Sequence, residues 1–453
     1  MTSGNTGGTG PSQHTFQAPT GTRDFYPAEL SRLRYVQDAW RRTSINHGFE
    51  EIDGPTFEHL DLYTVKSGEG IVSELFSFER FGGEKKFALR PEFTPTLARM
   101  YASKAASLPK PTKWFWMQNC YRAERPQRGR LREFCQWNCD ILGTGSDEPS
   151  ARTETDCELI GCCISTFQSL GLTHREVQVC ISDRHLVHDI LLELGIPATR
   201  TDDAINFLDR RGKLDVEERR AESKRLYLGE DFGLRFDDLA REYEDLEANR
   251  GSIAAKIERL KGLASVVAVY DKLKAAGFQD WIVPNPSIVR GLAYYTGMVF
   301  EVHEVSGAER AIAGGGRYDK LIEMFGGPPT PAVGFGMGDV VLSLVLQDKG
   351  LFPTDDAVAD KLGLRPDVFV ISNGQPEADA QLAPTLAAIR RAGLHARRSY
   401  KTTRNVGKLL GDAVKARARY ALIIEGASAG QLKNLETQEQ GAVELGKVVE
   451  AIS

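Results

Sequence analysis

The densest run of chemically capable side chains in this sequence is YRAERPQRGRLREFCQWNCDILG, residues 121–143. Two alternating stretches, roughly Trp114–Glu124 and Arg132–Gly143, flank the polar loop RPQRGR, a pattern that predicts an antiparallel hairpin with a long basic tip. Successive strand side chains point to opposite faces, so Arg132, Phe134, Gln136, Asn138 and Asp140 share one face while Cys135, Trp137, Cys139 and Ile141 share the other. On the first strand Gln118, Arg122 and Glu124 also align. One face therefore reads as core and the other as a polar site bearing guanidinium, amide and carboxylate groups. Upstream, KKFALRPEFTPTLARMYA (85–102) reads as a strand entering a helix at Pro95, with Arg90, Glu92 and Thr94 at the turn. Downstream, Gly314, Gly315 and Gly316 in one run and Gly334, Gly336 and Gly338 in another would let main chain approach a ligand closely.

The elements that must hold these residues follow from periodicity. Leu30, Leu33, Val36 and Trp40 mark an amphipathic helix that stops at Gly48, and Phe49–Pro55 is short and extended. Residues 202–262 are rich in both signs of charge at helical spacing and look like an insertion within another domain. Strand character returns with LAYYTGMVFEVHEV, and AVGFGMG runs into an all-round apolar helix, Asp339–Leu346, which implies burial. Proline and charge between Phe352 and Pro366 mark a linker. Beyond it DVFVIS, a helix to Gly393, HARRSY, a basic helix, YALIIEG and a final strand and helix alternate as in a small α/β domain.

Length and composition bound the rest. A chain of 453 residues has room for about two to four domains. Its apolar and charged fractions, 41% and 26%, are those of an ordinary soluble protein, and no apolar run approaches the roughly 20 residues that span a bilayer. The first seventeen residues lack Lys, Arg and an apolar core, so they match neither a secretory signal nor a transit peptide and read as a disordered tail. Seven cysteines without framework spacing or paired CxxC motifs point to reduced thiols in the cytoplasm. The net charge of −5 conceals a contrast: residues 390–420 hold ten Lys/Arg against the single acid Asp412, which suggests a localised polyanion contact.

Taken with GTRDFYP (21–27), LRPEFTP (89–95), RGLAYYTGMVFE (290–301), AGGGRYDKL (313–321) and AVGFGMG (332–338), in that order, the chain resembles class II aminoacyl-tRNA synthetases and specifically the histidine family. The resemblance implies an α+β multidomain fold: an antiparallel sheet core flanked by helices (18–185 and 283–352), a helical insertion (186–282) and a C-terminal α/β anticodon-binding domain (365–453), after the tail 1–17. It implies ATP-dependent ligation of L-histidine to tRNA(His), with Mg²⁺ accompanying ATP, in a homodimer that pairs around Phe49–Phe57. No resident metal site and no membrane contact are expected.

Carboxylate attack on the ATP α-phosphorus needs charge stabilisation and positioning more than an acid or base. The family match gives that work to Arg122 on the α-phosphate and Arg290 on the pentavalent phosphorus, and it gives the substrate amino group to Glu92 and Thr94. Both ring nitrogens of an imidazole need partners, which Gln136 and Asp140 can supply, with Tyr294, Tyr295 and Tyr318 closing the pocket. ATP would meet Arg122, Glu124, Arg128, Arg130, Gly336 and Gly338. A pocket built on polar readout rejects analogues without editing, so the insertion reads as a clamp on the tRNA acceptor arm. The RPQRGR tip would meet the acceptor end and the basic C-terminal domain the unstacked anticodon.

The chain departs from the family pattern twice. Ala293 stands where the RGL-YY signature has aspartate, and Val340 and Val341 replace a glutamate–arginine pair whose arginine holds the ATP γ-phosphate. The second departure leaves room for a non-catalytic paralogue, the synthetase-like regulatory subunit of ATP phosphoribosyltransferase. Retention of Arg122, Arg290, Glu92, the glycine run, the hairpin tip and a C-terminal domain favours the enzyme. Arg128 or Arg130 is expected to cover the γ-phosphate instead.

Overall fold

The structure, a computed structural model, describes residues 16–67, 69–144, 148–211, 214–288 and 295–452. Arg290 and Tyr294, both anticipated in the site, lie outside the described residues. The chain divides into two compact units, Met1–Asp24 with Val36–Leu351, and Phe25–Tyr35 with Phe352–Ser453.

The first unit contains strands β1 (Glu50–Glu51), β2 (Phe57–His59), β3 (Ser77–Glu79), β4 (Lys86–Leu89), β5 (Thr112–Tyr121), β6 (Glu133–Leu142), β7 (Val177–Asp183), β8 (Ile282–Pro284), β9 (Met298–Glu304), β10 (Ala313–Arg317) and β11 (Ala332–Gly338). Eight of them form one sheet in the order β1-β5-β6-β11-β10-β9-β7-β8, and β2, β4 and β3 form a small separate sheet. Within the large sheet β5 to β7 pair antiparallel, while β1 joins β5 and β8 joins β7 in parallel.

Alternation places the hairpin as the sequence predicts. Trp137, Cys139 and Ile141 of β6 are buried on the core face, where Trp137 stacks on Trp40 at 5.9 Å and meets Phe335 edge-on at 4.8 Å. The Trp137 indole N–H donates to Ser44 Oγ (2.9 Å), so this polar atom is not left unpaired in the core. Such aromatic pairs add about 0.5–1.5 kcal/mol each beyond the area they bury. The apolar helix after AVGFGMG also forms, as Asp339–Asp348, with Val341, Leu342, Val345 and Leu346 buried.

Between β7 and β8 the chain runs through helices Arg184–Glu193, Thr201–Arg210, Val216–Arg225, Phe232–Arg241, Arg250–Ile257 and Lys261–Ala275. These fill the expected insertion, but they group with the first unit rather than standing apart. The reason is close packing: helix Lys261–Ala275 lies against helix Pro149–Ser169, where the buried Cys157 thiol donates to the Val269 carbonyl (3.6 Å) and Glu154 pairs with Lys272. Its return strand β8 then extends the large sheet itself.

In the second unit β12 (Val368–Ser372), β13 (Ala396–Arg398), β14 (Tyr420–Ile424), β15 (Ala429–Asn434) and β16 (Gln440–Glu444) form a sheet in the order β13-β12-β14-β15-β16. Two details differ from expectation. The anticipated linker contains helix Asp355–Lys361, capped by Thr354 and anchored by buried Val358 and by Arg417–Asp356 and Arg419–Asp360 ion pairs (2.6 and 3.2 Å). The anticipated single last strand is a hairpin, because the Asn434 carboxamide accepts from the backbone N–H groups of Glu436 and Thr437 and so turns the chain. The basic stretch is partly structural: Lys401 pairs with Asp412 (2.6 Å) and Arg390 donates to the Ala396 carbonyl.

Candidate active site

The LRPEFTP turn is built around Arg90, a buried guanidinium that donates to the carbonyls of Asn119 (2.9 Å), Gly54 (3.0 Å) and Pro55 (3.3 Å) and lies 4.7 Å from the Trp116 ring centre. Phe93 stacks flat on the same indole at 4.3 Å. Charge-assisted bonds and stacking thus lock the turn, and the intervening Glu92 and Thr94 project into a cavity of about 210 Å³. Helix Thr94–Lys104 starts here because Pro95 suits a first helical turn.

Arg122, Gln136, Asn138, Asp140, Tyr295 and Tyr318 line the same cavity. The Tyr318 hydroxyl donates to Asp140, which is 2% exposed. Tyr318 is aimed by its neighbour Arg317, which is buried and clamped by Asp156 (2.9 Å) and the Arg152 carbonyl (2.8 Å). Burial pushes the Asp156 carboxyl up to about 6 even against the pull of Arg317. The Cys120 thiol, pushed up to about 12 by burial and therefore protonated, donates to Gln136 Oε1 (3.8 Å) and orients that amide. Burial, reinforced by Glu92, Asp140 and Glu301, raises the Tyr295 phenol well above its ordinary value, so it stays a neutral donor.

The glycines of β11 act here in a way the sequence did not disclose. In the register with β6, Gly334 faces Asp140 and Gly336 faces Asn138. A Cβ on Gly334 would meet Asp140 Oδ1 at 1.9 Å, and one on Gly336 would meet Gln136 Nε2 at 3.1 Å and Asn138 Nδ2 at 3.2 Å. These glycines make room for the protein's own polar side chains to lie across the strand. Only knowledge of the strand pairing could have revealed that, although the every-second-residue spacing in AVGFGMG is its trace.

A larger cavity of about 350 Å³ adjoins the first, sharing Arg122, Gln136, Tyr295, Gly314 and Gly336 with it, and extends past Gly338, Arg130, Glu301 and Arg310 to Val340 and Val341. Arg122 stands at the junction. Its Nε donates to the Pro91 carbonyl (3.1 Å) and its guanidinium packs 5.0 Å from the Phe134 ring centre, so among the described residues the side chain is held without an acid. The acid nearest in sequence, Glu124, pairs instead with Arg130 at 2.5 Å. Arg128 is not among the lining residues: it reaches Glu309 (2.5 Å) and Asp348 (3.2 Å). Glu301 and Arg310 also line the larger cavity and were not singled out from sequence, whereas Asn138, expected on the polar face, and Gly334, expected to admit a ligand, line the smaller one. The N-terminal GTR segment braces the hairpin, since the Gly21 carbonyl accepts from Arg132 N–H (2.8 Å) and Arg23 pairs with buried Asp339 (2.7 Å).

An antiparallel sheet carrying an arginine hairpin, with a small polar cavity opening into a larger one, is the architecture of class II aminoacyl-tRNA synthetases. The histidyl-tRNA synthetase family profile matches residues 21–339, and the chain belongs to that family. A histidine–tRNA ligase of Opitutus terrae is 38% identical over 389 residues, 84% of each chain, and one of Natronomonas pharaonis is 39% identical over 351 residues, 75% of this chain and 77% of that one. The fold is also that of the crystal structure of histidyl-tRNA synthetase from Nostoc sp. PCC 7120, with a TM-score of 0.77 at 23% identity over 97% of this chain and 99% of that one. No helix among the described residues is long and apolar enough to cross a membrane.

Proposed function

We propose that this protein activates L-histidine with ATP and transfers it to tRNA(His), the smaller cavity holding the amino acid and the larger one the nucleotide. The observation that carries the reading is the shared wall: Arg122 borders both cavities, where an amino-acid carboxylate and an α-phosphate would have to meet. In the first step a histidine carboxylate oxygen bonds to the α-phosphorus, the bond from that phosphorus to the bridging oxygen breaks, and pyrophosphate leaves with the electron pair. In the second a ribose hydroxyl at the tRNA 3′ end attacks the carbonyl carbon, AMP leaves, and the hydroxyl proton passes to a phosphate oxygen or solvent.

Glu92 and Thr94 take the ammonium group, a cation that needs a carboxylate with hydroxyl support. Gln136 and Asp140 take the two imidazole nitrogens. Asp140 accepts from Tyr318 with one oxygen and still has lone pairs for a ring N–H, while Tyr295 and Tyr294 close the pocket. Arg122 and Arg290 neutralise charge developing on the phosphorus, and Gly336 and Gly338 form the nucleotide floor beside Arg130, with Glu124, which lines neither cavity, holding that arginine. Mg²⁺ would fit here: Glu301 faces the larger cavity, and beside its lining residue Arg130 the Glu124 Oε2 is buried without a hydrogen-bond partner among the described residues. Among the described residues no cluster of three or more ligands competes, which suits an ion held by one or two carboxylates plus substrate phosphates. When bound it would neutralise phosphate charge.

The hairpin tip meets the acceptor end and the basic C-terminal face, including Arg397, Arg398, Arg404 and Lys408, meets the anticodon. Two chains pair around Phe49–Phe57 in the cytoplasm. The test is pyrophosphate exchange with each amino acid in turn, with and without tRNA. Histidine-dependent exchange is expected; its absence, with binding to a phosphoribosyltransferase, would make the protein a regulatory subunit instead.

A further inference from the structure

Asn138 brings an unmatched polar atom to the smaller cavity. It lines that cavity and is 6% exposed, and its carboxamide oxygen is buried with no hydrogen-bond partner among the described residues. Buried polar atoms are nearly always paired, so an open acceptor in a cavity wall calls for a donor from whatever fills the cavity. The protein does not pin this oxygen. Its Nδ2 end lies beside the cavity-lining Gly336, 3.2 Å from where a Cβ there would stand, and a half-turn about the two-fold terminal torsion would exchange the two ends. The strand register indicates which donor this is. Asn138 lies between Gln136 and Asp140 on β6 and faces Trp116 of β5. Phe93 stacks on that indole at 4.3 Å, so the residues on either side of it, Glu92 and Thr94, enter the cavity over the Asn138 stretch of its floor.

On the reading that histidine occupies this cavity, we propose that Asn138 is a further specificity-determining residue, its carboxamide oxygen accepting one N–H of the substrate ammonium beside Glu92 and Thr94. An ammonium group carries three N–H donors. Glu92 and Thr94 take two of them and the ring nitrogens go to Gln136 and Asp140, so the third N–H and the open oxygen match. A neutral acceptor suits the place. Two carboxyl groups, Glu92 and Asp140, already line the cavity, and a carboxamide completes the ammonium's bonds without adding a third negative charge to a confined space.

The test is binding of three ligands to full-length protein by calorimetry, the weaker ones by displacement of histidine. They are histidine, histidinol, which keeps the amino group and ring but has no carboxylate, and imidazolepropionate, which keeps the ring and carboxylate but has no amino group. Asn138→Ala should weaken histidine and histidinol by about tenfold or more, the scale of one lost hydrogen bond to a charged group, and leave imidazolepropionate within about twofold. Asn138→Asp, which keeps an acceptor oxygen at the same reach, should fall between Asn138→Ala and wild type. KM for ATP should not move. Free Asn138→Ala protein should melt no lower than wild type, because the oxygen it loses has no protein partner. Equal weakening of all three ligands, unaltered histidine affinity in Asn138→Ala, an aspartate variant no better than the alanine one, or a lowered melting temperature would each overturn the assignment. Wild-type protein without histidine-dependent pyrophosphate exchange would instead overturn the functional reading on which it rests.

Discussion

Gly334→Ala tests the proposed histidine pocket most sharply. The added methyl would lie 1.9 Å from Asp140 Oδ1 and 3.1 Å from the Tyr318 hydroxyl, so the carboxylate must retreat by roughly 1 Å or more to reach an ordinary contact. The only open space beside Asp140 is the cavity it lines, so a displaced carboxylate would leave Tyr318 and intrude where the proposed imidazole sits, disturbing both contacts together. Losing one hydrogen bond to a charged group costs about 1.5–3 kcal/mol, which at about 1.4 kcal/mol per tenfold is roughly a 10–150-fold rise in KM for histidine. Pyrophosphate exchange as a function of histidine and of ATP gives both constants, and KM for ATP should change little. Gly336→Ala is the graded comparison: its methyl meets flexible amide ends at 3.1–3.2 Å, so its effect should stay under about tenfold. A folded Gly334→Ala protein with unaltered KM for histidine, or with both constants raised alike, would refute the reasoning.

Arg122→Ala should slow adenylation by about 10²–10³ with histidine affinity nearly intact, measured by single-turnover adenylate formation; an unimpaired rate would remove it from the catalytic set. Arg404→Glu with Lys408→Glu should raise KM for tRNA in aminoacylation while leaving pyrophosphate exchange as it was, and equal damage to both would contradict an RNA-reading face. Glu158, held down to about 2 by His47 (3.1 Å) and Lys113 (2.9 Å), gives a pH-dependent stability. A depressed carboxyl stabilises the fold above its ordinary value near 4.5 and loses that contribution as pH falls toward 2, so the urea-midpoint gap between wild type and Glu158→Gln should be constant from pH 7 to about 5 and then close. A gap that persists at pH 3 would assign the effect to packing.

Local pattern made the hairpin, the LRPEFTP turn and the α/β alternation legible, because each depends on neighbours a few residues away. Period-two alternation alone put Gln136 and Asp140 on the face that lines the cavity, and the helix from Pro27 ends as Gly48 foretold. What stayed hidden depends on partners distant in sequence. The spacing in AVGFGMG was visible, but its service to Asp140 and Asn138 exists only in the β6–β11 register. Arg128 and Arg130 were expected over the phosphates because loop arginines are mobile in principle; Glu309 and Glu124, remote in sequence or unweighed as partners, engage them. Arg310 carried no signal of its own, being one charge in a short connection. The helix Asp355–Lys361 was missed because Pro353 and a run of acids read as linker, whereas its stabilisation comes from Arg417 and Arg419 some sixty positions on.

The pairing of β6 with β11 also sets when a newborn chain can bind anything. Leu142 and Ala332 are partners, so the floor of the smaller cavity leaves the ribosome long before its glycine-lined wall. At about 5–20 residues per second the hairpin waits on the order of ten to forty seconds with one edge of β6 open, exposing unpaired main chain and the apolar Trp137 face. Closing so distant a contact is entropically slow, and no shorter fragment holds a pocket that substrate could stabilise. During synthesis this region therefore depends on whatever shields open strand edges in the cell, and a ligand of this cavity can begin to protect the fold only after residue 338 has emerged.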